Sequence, residues 1–169
     1  MKNIFVKKSK IHGKGVFTAR DYNKGDFIMD IDDSDVITDP SKLTEKQHNY
    51  LDYLENGKMV LMKIPERYIN HSCDPNAYIK TVKEVRKVFV MRDISREEEI
   101  TYDYSINGYG EGTWECNCGS KKCRKIIQSD FFKLVISLQI KYLPYLDDWF
   151  KKEFKDRVEK LKQERQIID

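Results

Sequence analysis

The stretch RYINHSCDPNAYI, residues 67–79, places a basic residue, an amide, an imidazole, a hydroxyl, a thiol and a carboxylate within eight positions. A surface loop does not need so many different side-chain chemistries, whereas metal sites and active sites combine them. Pro75 and Asn76 follow directly and favour a turn at the end of the segment. This stretch is therefore the first candidate functional segment of the chain.

The composition limits the class of protein. The chain has 169 residues, which suits one globular domain with room for an appended subdomain. The net charge is only +3, which does not indicate direct nucleic-acid binding. No apolar run reaches the ~18 residues of a membrane span, and the start MKNIFVKKSK lacks the apolar centre of a signal peptide. We therefore expect a cytoplasmic protein, in which cysteines are more often metal ligands or free thiols than disulfides.

The first two thirds of the chain predict mainly strands. Short apolar runs broken by turn residues indicate strands within the segments 3–31, 58–64, 77–94 and 97–106. One exception is the segment 41–57, whose apolar residues recur at helical spacing. Ser41 or Thr44 could cap this helix and Gly57 could end it.

The last third predicts helices. Residues 129–143 are apolar almost all round, which favours a buried helix that Pro144 then breaks. Residues 146–166 carry one apolar stripe, made of Phe150, Phe154, Val158 and Leu161. The stripe either packs on its own domain or forms a dimer seam. Strands first and helices last indicate an α+β fold that is mostly β.

The four cysteines predict a zinc site. Cys116, Cys118 and Cys123 form a C-x-C-x4-C pattern, and the only other cysteine is Cys73 in the candidate segment. A structural zinc ion needs four ligands in a tetrahedron and thiolates suit it, so the count is complete. Such a site would join the region around residue 120 to the candidate segment. The alternative is free thiols or a redox pair.

Four motifs together resemble one family. RYINHSCDPNA resembles the central motif of the SET-domain protein-lysine N-methyltransferases, and EEEITYDY (97–104) resembles their second motif. HGKGVF (12–17) is similar to their glycine-containing cofactor turn, and CNCGSKKCRK (116–125) to their post-SET zinc segment. The motifs occur in family order, and the resemblance covers residues 5–127. It is closest to the compact forms of prokaryotes and large viruses.

The resemblance implies a fold that periodicity does not predict. SET domains consist of small β-sheets with a pseudo-knot, in which residues 70–76 would pass through a loop made by residues 100–104. We expect a SET domain over 1–112, a post-SET zinc segment over 113–128 and a C-terminal helical extension over 129–169.

The resemblance also implies a reaction and a set of roles. The reaction is transfer of a methyl group from S-adenosyl-L-methionine to the ε-amine of a lysine in a protein. Tyr104 would be the catalytic tyrosine. Tyr102 would line the lysine channel, and a tyrosine at its position goes mainly with monomethylation. Zinc would bind the four cysteines named above. The cofactor would contact Gly13, Lys14, Gly15, Val16, Arg67, Asn70 and His71.

Some of these roles have plainer alternatives. The turn at 13–16 could be an ordinary hairpin, and Arg67 could be a surface arginine. Family members usually have glycine where this chain has Glu97, and the Y-x-G-E-like motif common after the second strand is absent. These departures leave open a catalytically silent SET-like binding module. A non-enzymatic zinc protein that binds nucleic acid is disfavoured, because the basic residues are scattered among acidic ones.

The expected partner is a protein with an accessible lysine, for example a basic chromatin-like or ribosomal protein. The acidic run at Asp30, Asp32, Asp33 and Asp35 could complement a lysine-rich peptide, or it could be a solvated loop.

Overall fold

The computed structural model describes residues 3–168. Its strands are β1 Ile4–Lys8, β2 Lys14–Thr18, β3 Phe27–Asp30, β4 Val36–Ile37, β5 Leu51–Tyr53, β6 Met59–Leu61, β7 Asn70–His71, β8 Ala77–Val82, β9 Val85–Val90, β10 Glu99–Tyr102, β11 Thr113–Glu115 and β12 Ile126–Gln128. Its helices are α1 Glu45–His48, α2 Ile136–Tyr142, α3 Asp148–Glu153 and α4 Lys155–Ile168. Among the described residues, no helix has the length and apolar character needed to cross a membrane.

The strands form small sheets, as expected. Their orders are β1-β2-β10-β7, β3-β9-β8, β4-β6-β5 and β11-β12. The first sheet contains the candidate site, because β7 lies within RYINHSCDPNAYI and β10 within the second motif. β7 runs parallel to β10, with Thr101 opposite Asn70 and Tyr102 opposite His71, although the other pairings are antiparallel. This parallel pairing places the candidate segment directly beside the candidate tyrosines.

The β1-β2-β10-β7 and β3-β9-β8 sheets pack around one apolar core. β2 and β10 meet at Val16 and Ile100, which pair across the strands and are both fully buried. Val88 and Val90 reach the same core from β9, and Ile69 reaches it from the turn before β7. The main core therefore holds the strands that carry the candidate residues in fixed positions.

A second core joins the C-terminal helices to the strands. Phe131, Tyr142 and Phe150 are fully buried there and pack with Met91 and Ile106, which come from the strand region. A buried side chain of this size contributes about 1.5–3 kcal/mol. The helices are therefore an integral part of the same folded unit.

The helical stripe packs within its own chain. Phe150, Val158 and Leu161 are buried in this second core and Phe154 packs partly against it, so the interpretation as a helix on its own domain is confirmed. The helix itself is interrupted, because Phe154 has φ −105 and ψ 33 between α3 and α4.

The predicted helix over 41–57 is wrong for most of its length. Only residues 45–48 are α-helical, and Thr44 caps them with a capping box in which Gln47 is the partner. Leu51 to Tyr53 instead form β5, which pairs with β6. The apolar residues have helical spacing, but pairing with β6 determines the structure of this segment. Such long-range pairing outweighs local propensity.

The predicted helix over 129–143 is shorter than expected. It consists of a 3-10 turn at Phe131–Lys133 followed by α2, and both Val135 between them and Ile136 at the start of α2 are exposed. The buried Gln139 side chain donates to the carbonyls of Phe132 (3.1 Å) and Leu134 (2.6 Å). These bonds satisfy carbonyls that a continuous helix would have used, so the chain bends here.

Candidate active site and cysteine cluster

One cleft of about 1650 Å³ contains most of the candidate residues. It lies between the β1-β2-β10-β7 sheet, the segment 46–62 and the region that carries the cysteines. The predicted residues that line it are Gly13, Lys14, Arg67, Asn70, His71, Tyr102 and Tyr104. Gly15 and Val16 are not among the lining residues, because Val16 is fully buried in the main core and Gly15 contacts Glu99.

Glu99 explains both Gly15 and the orientation of Asn70. A Cβ atom at position 15 would clash with Glu99 Oε1, so a residue other than glycine there would displace this carboxylate. Asn70 Nδ2 donates to Glu99 Oε1 (2.7 Å) and to the Lys14 carbonyl (2.9 Å), and Ser9 Oγ donates to Glu99 as well. Since both amide hydrogens have partners, Oδ1 is the atom with which Asn70 can accept a hydrogen bond from a ligand.

Two tyrosines form an aromatic wall of the cleft. The Tyr104 hydroxyl donates to the Ile69 carbonyl (2.9 Å), and the ring centres of Tyr102 and Tyr104 lie 4.8 Å apart. Trp114 of β11 adds a third ring, 6.2 Å from Tyr104. Burial raises the pKa of both tyrosines, and the nearby Asp52 carboxylate raises it further. Both hydroxyls are therefore neutral at physiological pH, so neither tyrosine serves as a strong base.

His71 connects the tyrosines to the cysteines. Its Nδ1 accepts a hydrogen bond from the Tyr104 backbone N–H (3.1 Å), and its Nε2 lies 3.3 Å from Cys73 Sγ. Burial lowers the pKa of His71 to about 4, so the ring is neutral and, with Nδ1 as acceptor, Nε2 carries the proton. Both ring nitrogens have protein partners. His71 can therefore offer a cofactor its backbone and ring surface, but no free ring nitrogen.

The four cysteines converge on one point. Their Sγ atoms all lie within 4.8 Å of one another, and Cys73 Sγ is 3.7 Å from Cys116 Sγ. Tetrahedral zinc with Zn–S bonds of ~2.3 Å requires sulfur separations of about 3.8 Å. Burial raises the pKa of Cys73 and Cys116. Burial acts in the same direction on Cys118, but hydrogen bonds from Cys73 and Ser120 outweigh it and lower the pKa of Cys118 to about 7.

A buried ion pair lies between the cysteine cluster and the second core. Asp103 is fully buried, and Arg124 donates to both of its carboxylate oxygens (2.6 and 2.8 Å). The Arg124 backbone N–H also lies 3.4 Å from Cys73 Sγ. Sequence reasoning did not identify this pair, although both residues lie inside motifs that it did identify. The pair ties the cysteine-bearing loop to the strand that carries the tyrosines.

Cationic side chains stand at one end of the cleft. The Arg67 guanidinium lies 5.0 Å from the ring centres of both Tyr50 and Tyr68, and it donates to the Tyr68 hydroxyl (3.0 Å). Lys14 Nζ lies 5.4 Å from the centre of the Tyr68 ring. Arg67 Nε is buried and has no hydrogen-bond partner among residues 3–168. Arg67 is therefore a partly buried cleft residue rather than a surface arginine, and this end suits an anionic group.

The acidic run is largely neutralised by the chain itself. Asp30 pairs with Lys87, Asp32 pairs with Lys63 (3.1 Å), and Asp33 takes a two-pronged bond from Arg86. Asp35 is exposed. The run is thus neither a fully solvated loop nor a free anionic surface. Its two-pronged contact is the one from Asp33 to Arg86, which also binds Asp52 in the cleft.

The turn before β10 keeps a glycine-like conformation without glycine. Glu97 has φ 67, in the left-handed region that glycine adopts most easily. Its side chain is exposed, and its backbone N–H donates to the Thr18 carbonyl (2.9 Å). The turn leading into β10 therefore has the left-handed geometry of a glycine turn, although Glu97 replaces the glycine.

Comparison with protein families identifies the class to which the fold and the cleft belong. The SET domain family model matches residues 13–105, more than half of the chain. The chain belongs to the SET domain family. The predicted fold of small sheets, C-terminal helices and a cysteine cluster is confirmed.

Several characterised proteins are similar to this chain. It is 34% identical over 137 residues to the histone-lysine N-methyltransferase trr of Drosophila melanogaster, which covers 73% of this chain and 6% of that protein. It is 33% identical over 135 residues to a Saccharomyces cerevisiae histone-lysine N-methyltransferase described as H3 lysine-36 specific, covering 71% of this chain and 18% of that protein. This chain thus corresponds to a small part of either relative.

A solved structure shares the fold. The crystal structure of a Plasmodium falciparum candidate histone methyltransferase matches with a TM-score of 0.51 at 26% identity, covering 62% of this chain and 94% of that chain.

Proposed function

We propose that this protein is a protein-lysine N-methyltransferase that uses S-adenosyl-L-methionine and carries one structural zinc ion. The observation that carries the proposal is the arrangement of Tyr104 and Tyr102 in one cleft with Asn70 and a cationic end. The two tyrosine rings could line a channel for a lysine side chain, and the polar groups could bind the amino-acid part of the cofactor. Both sets of residues line the same cleft. Similarity to histone-lysine N-methyltransferases supports the same reaction.

The cleft residues fit the cofactor. Its carboxylate would pair with Arg67, whose Nε has no partner among the described residues, and with Lys14 beside it. Its amino group would donate to Asn70 Oδ1, the atom left available by the bonds of that amide to Glu99 and Lys14. Gly13, at φ 46, lets the backbone turn at the edge of the cleft. When bound, the cofactor supplies an electrophilic methyl group on a positively charged sulfur.

The tyrosines would prepare the lysine for reaction. A free lysine has a pKa of ~10.4, so its nitrogen must lose a proton before it can accept a methyl group. Desolvation between Tyr102, Tyr104 and Trp114 disfavours the charged form and lowers that pKa. Tyr104 stays protonated and is oriented by the Ile69 carbonyl, so it aligns the reacting groups, while the lysine proton leaves to water.

The cysteine cluster would hold zinc as a structural element. The sulfur separations match tetrahedral coordination, and four thiolates leave no open position for catalysis. Zinc there would hold the loop 113–128 against the segment 70–76 and so complete one wall of the cleft. The protonated Nε2 of His71 would donate to Cys73 and orient that ligand.

Tyr102 would limit the product mainly to monomethyl-lysine. Its hydroxyl can hold a water molecule beside the lysine nitrogen, in the space that a second methyl group would need.

We propose a basic protein of the histone class, or a ribosomal protein, as the substrate. Four acidic residues line the cleft, namely Asp52, Glu111, Glu115 and Asp147. Relatives named as histone-lysine N-methyltransferases are similar to this chain in sequence. One of these relatives is named for a particular histone lysine, so similarity to the group does not by itself define the target lysine here.

The test is transfer of labelled methyl groups from S-adenosyl-L-methionine to purified histones and ribosomal proteins. We expect incorporation by the unmodified protein, and a loss of about a hundredfold or more in Tyr104→Phe, because the hydroxyl acts in the transition state. Calorimetry should show that Tyr104→Phe binds the cofactor nearly as well as the unmodified protein.

Two outcomes would reject the proposed function. If the unmodified protein binds cofactor or peptide but transfers nothing to any of the substrates, the protein is a silent binding module. Equal transfer by Tyr104→Phe would remove Tyr104 from the reaction.

A further inference from the structure

Side chains of both charges line the cleft. Lys14 and Arg67 stand at the end assigned above to the cofactor. Asp52 lines the same cleft on the side formed by β5. Asp52 lies in none of the sequence motifs, and the methyl transfer itself does not require it.

Asp52 is held firmly and still reaches the cleft. Its Oδ1 accepts a hydrogen bond from the Tyr53 backbone N–H (2.9 Å), and its Oδ2 accepts one from Arg86 Nη1 (2.6 Å). The side chain of Asp52 remains 30% exposed, whereas that of Arg86 is 11% exposed. The carboxylate is therefore fixed in position and accessible to a ligand in the cleft.

The ion cluster has one more negative charge than positive charges. Arg86 is bonded to Asp52 on one side and to both carboxylate oxygens of Asp33 (2.7 and 2.8 Å) on the other. One guanidinium is thus shared by two carboxylates. Asp33 does not line the cleft, so Asp52 is the carboxylate of this cluster that a ligand in the cleft can contact directly.

The negative charge of Asp52 affects the pKa of the tyrosines in the cleft. Burial is the main cause of the raised pKa of Tyr102, Tyr104 and Tyr109, and Asp52 raises the pKa of all three further. The carboxylate is therefore close enough to act on a cation lying between those rings. The acidic and titratable groups around this space are Asp52, Asp33, Glu99, Glu111, Glu115, Asp147, Glu153, Tyr53, Tyr102, Tyr104 and Tyr109, and the basic groups are Arg86, Lys14, Lys46, His48 and Arg67.

We propose that Asp52 is a substrate-positioning residue that attracts the ammonium form of the target lysine to the tyrosine channel. The inference rests on the proposed methyltransferase function and extends it to how the substrate enters. A lysine in solution is protonated, so it enters the cleft as an ammonium group. A carboxylate held beside neutral aromatic rings attracts this ammonium group before it loses its proton. The cationic end of the cleft repels the same group.

The attraction has an opposing consequence for the chemical step. A carboxylate near an ammonium group raises the pKa of that group, whereas burial between the tyrosines lowers it. Asp52 therefore favours capture of the lysine and delays loss of its proton. Removing the charge should weaken capture and make deprotonation easier, and a residue with a merely structural role would not cause this pair of effects.

The test compares Asp52→Asn with Asp33→Asn. Each variant removes one carboxylate from Arg86 and keeps a side chain of similar size, but only the first alters the cleft. Steady-state methylation of a lysine peptide is measured across pH and at two salt concentrations, with circular dichroism to verify folding. For Asp52→Asn we expect KM for the peptide to rise about tenfold, with the rise smaller at high salt. The rising limb of kcat against pH should move about one unit to lower pH. For Asp33→Asn we expect both quantities to stay within about twofold of the unmodified protein.

The outcomes separate the inference from the function on which it rests. An unmodified protein that methylates no peptide refutes the proposed function. An active protein whose Asp52→Asn variant keeps its KM and pH profile refutes the role of Asp52. Equal effects in the two variants also refute it, because the total charge of the cluster, and not its presentation at the cleft, would then be responsible. If Asp52→Asn does not fold, Asp52→Ser with a stability check at each pH replaces it under the same criteria.

Discussion

The two walls of the cleft are built in different ways. One, the cysteine wall, consists of residues 70–76 and 113–128, held by four converging thiols and by the buried pair of Asp103 and Arg124. The other, the insert wall, consists of residues 35–62, where Val60 is the one residue that is fully shielded from solvent among those described. Its links to the rest of the protein include the ion pair of Asp52 with Arg86, the contact of Tyr50 with Arg67 and the bond from the Tyr109 hydroxyl to the Leu54 carbonyl (2.9 Å).

This difference indicates which wall is rigid. Metal ligands and a buried charge pair resist opening, whereas a segment with few buried apolar contacts opens at a low cost in free energy. The cysteine wall should therefore determine whether the cleft exists. The insert wall should determine how a substrate enters it.

The largest expected effect is loss of the cysteine wall in Cys123→Ser. The unmodified protein should carry about one zinc per chain, and the variant should lose most of it, because three thiolates bind zinc less tightly than four. Metal binding and local folding are linked, so we expect a loss of several kcal/mol in stability and weaker cofactor binding. Metal analysis and hydrogen exchange measure these effects, and exchange should accelerate in residues 113–128 while residues 77–90 keep their protection.

Lys121→Ala is the control, since this exposed residue lies in the same loop and contributes no thiol. Absence of zinc from freshly prepared, reduced unmodified protein would contradict the assignment of the cysteine wall.

A smaller effect should separate the two walls through their arginines. Arg124→Met leaves the fully buried Asp103 without a counter-ion, with the Ser105 backbone N–H (3.1 Å) still donating to it, and loss of a buried counter-ion typically costs about 3–5 kcal/mol. Arg86→Met should cost only about 1–2 kcal/mol, because its partners Asp33 and Asp52 are partly exposed and can be hydrated. Urea unfolding at neutral pH measures both. If Arg86→Met lowers the free energy of unfolding more than Arg124→Met does, the insert wall and not the cysteine wall is the more firmly held one.

The same contrast explains what could be predicted from the sequence. The cysteine wall was predicted because its residues follow short, specific spacings, and the proximity of residues 70–76 to residues 100–104 was expected from motifs of a known fold. The insert wall was predicted as one helix over 41–57, and it is largely strand and turn. Its structure depends on contacts with Arg86 and Tyr109, which are far away in sequence and follow no spacing. Asp52 in the cleft was missed for the same reason.

Tyr102→Phe should change the product and leave the fold intact. Tyr102 stands on β10 between the two walls, and loss of its hydroxyl frees the space proposed to hold a water molecule. We expect a shift from monomethyl-lysine toward di- and trimethyl-lysine, with the first transfer kept within about threefold. Mass spectrometry of a peptide over a time course measures this shift.

Tyr109→Phe provides the matched control. It also removes a hydroxyl from the cleft, but that hydroxyl is bonded to Leu54 of the insert wall. We expect a higher KM for the peptide and an unchanged degree of lysine methylation. Abundant trimethyl-lysine from the unmodified protein would show that Tyr102 does not limit the product.

The smallest expected effect concerns the turn that leads into β10. Glu97 adopts φ 67, and a left-handed conformation costs a residue with a side chain about 1–2 kcal/mol. Glycine removes that cost but adds freedom to the unfolded chain, so Glu97→Gly should stabilise the protein by about 0.5–1 kcal/mol. Glu97→Ala is the control, because it removes the carboxylate and keeps the Cβ atom, and its stability should match the unmodified protein. Urea unfolding measures all three forms, and methyl transfer should be equal in them, since the turn already has the geometry that glycine would adopt. A destabilised Glu97→Gly variant, or one with much higher activity, would show that the glutamate side chain shapes β10 and hence the tyrosines between the two walls.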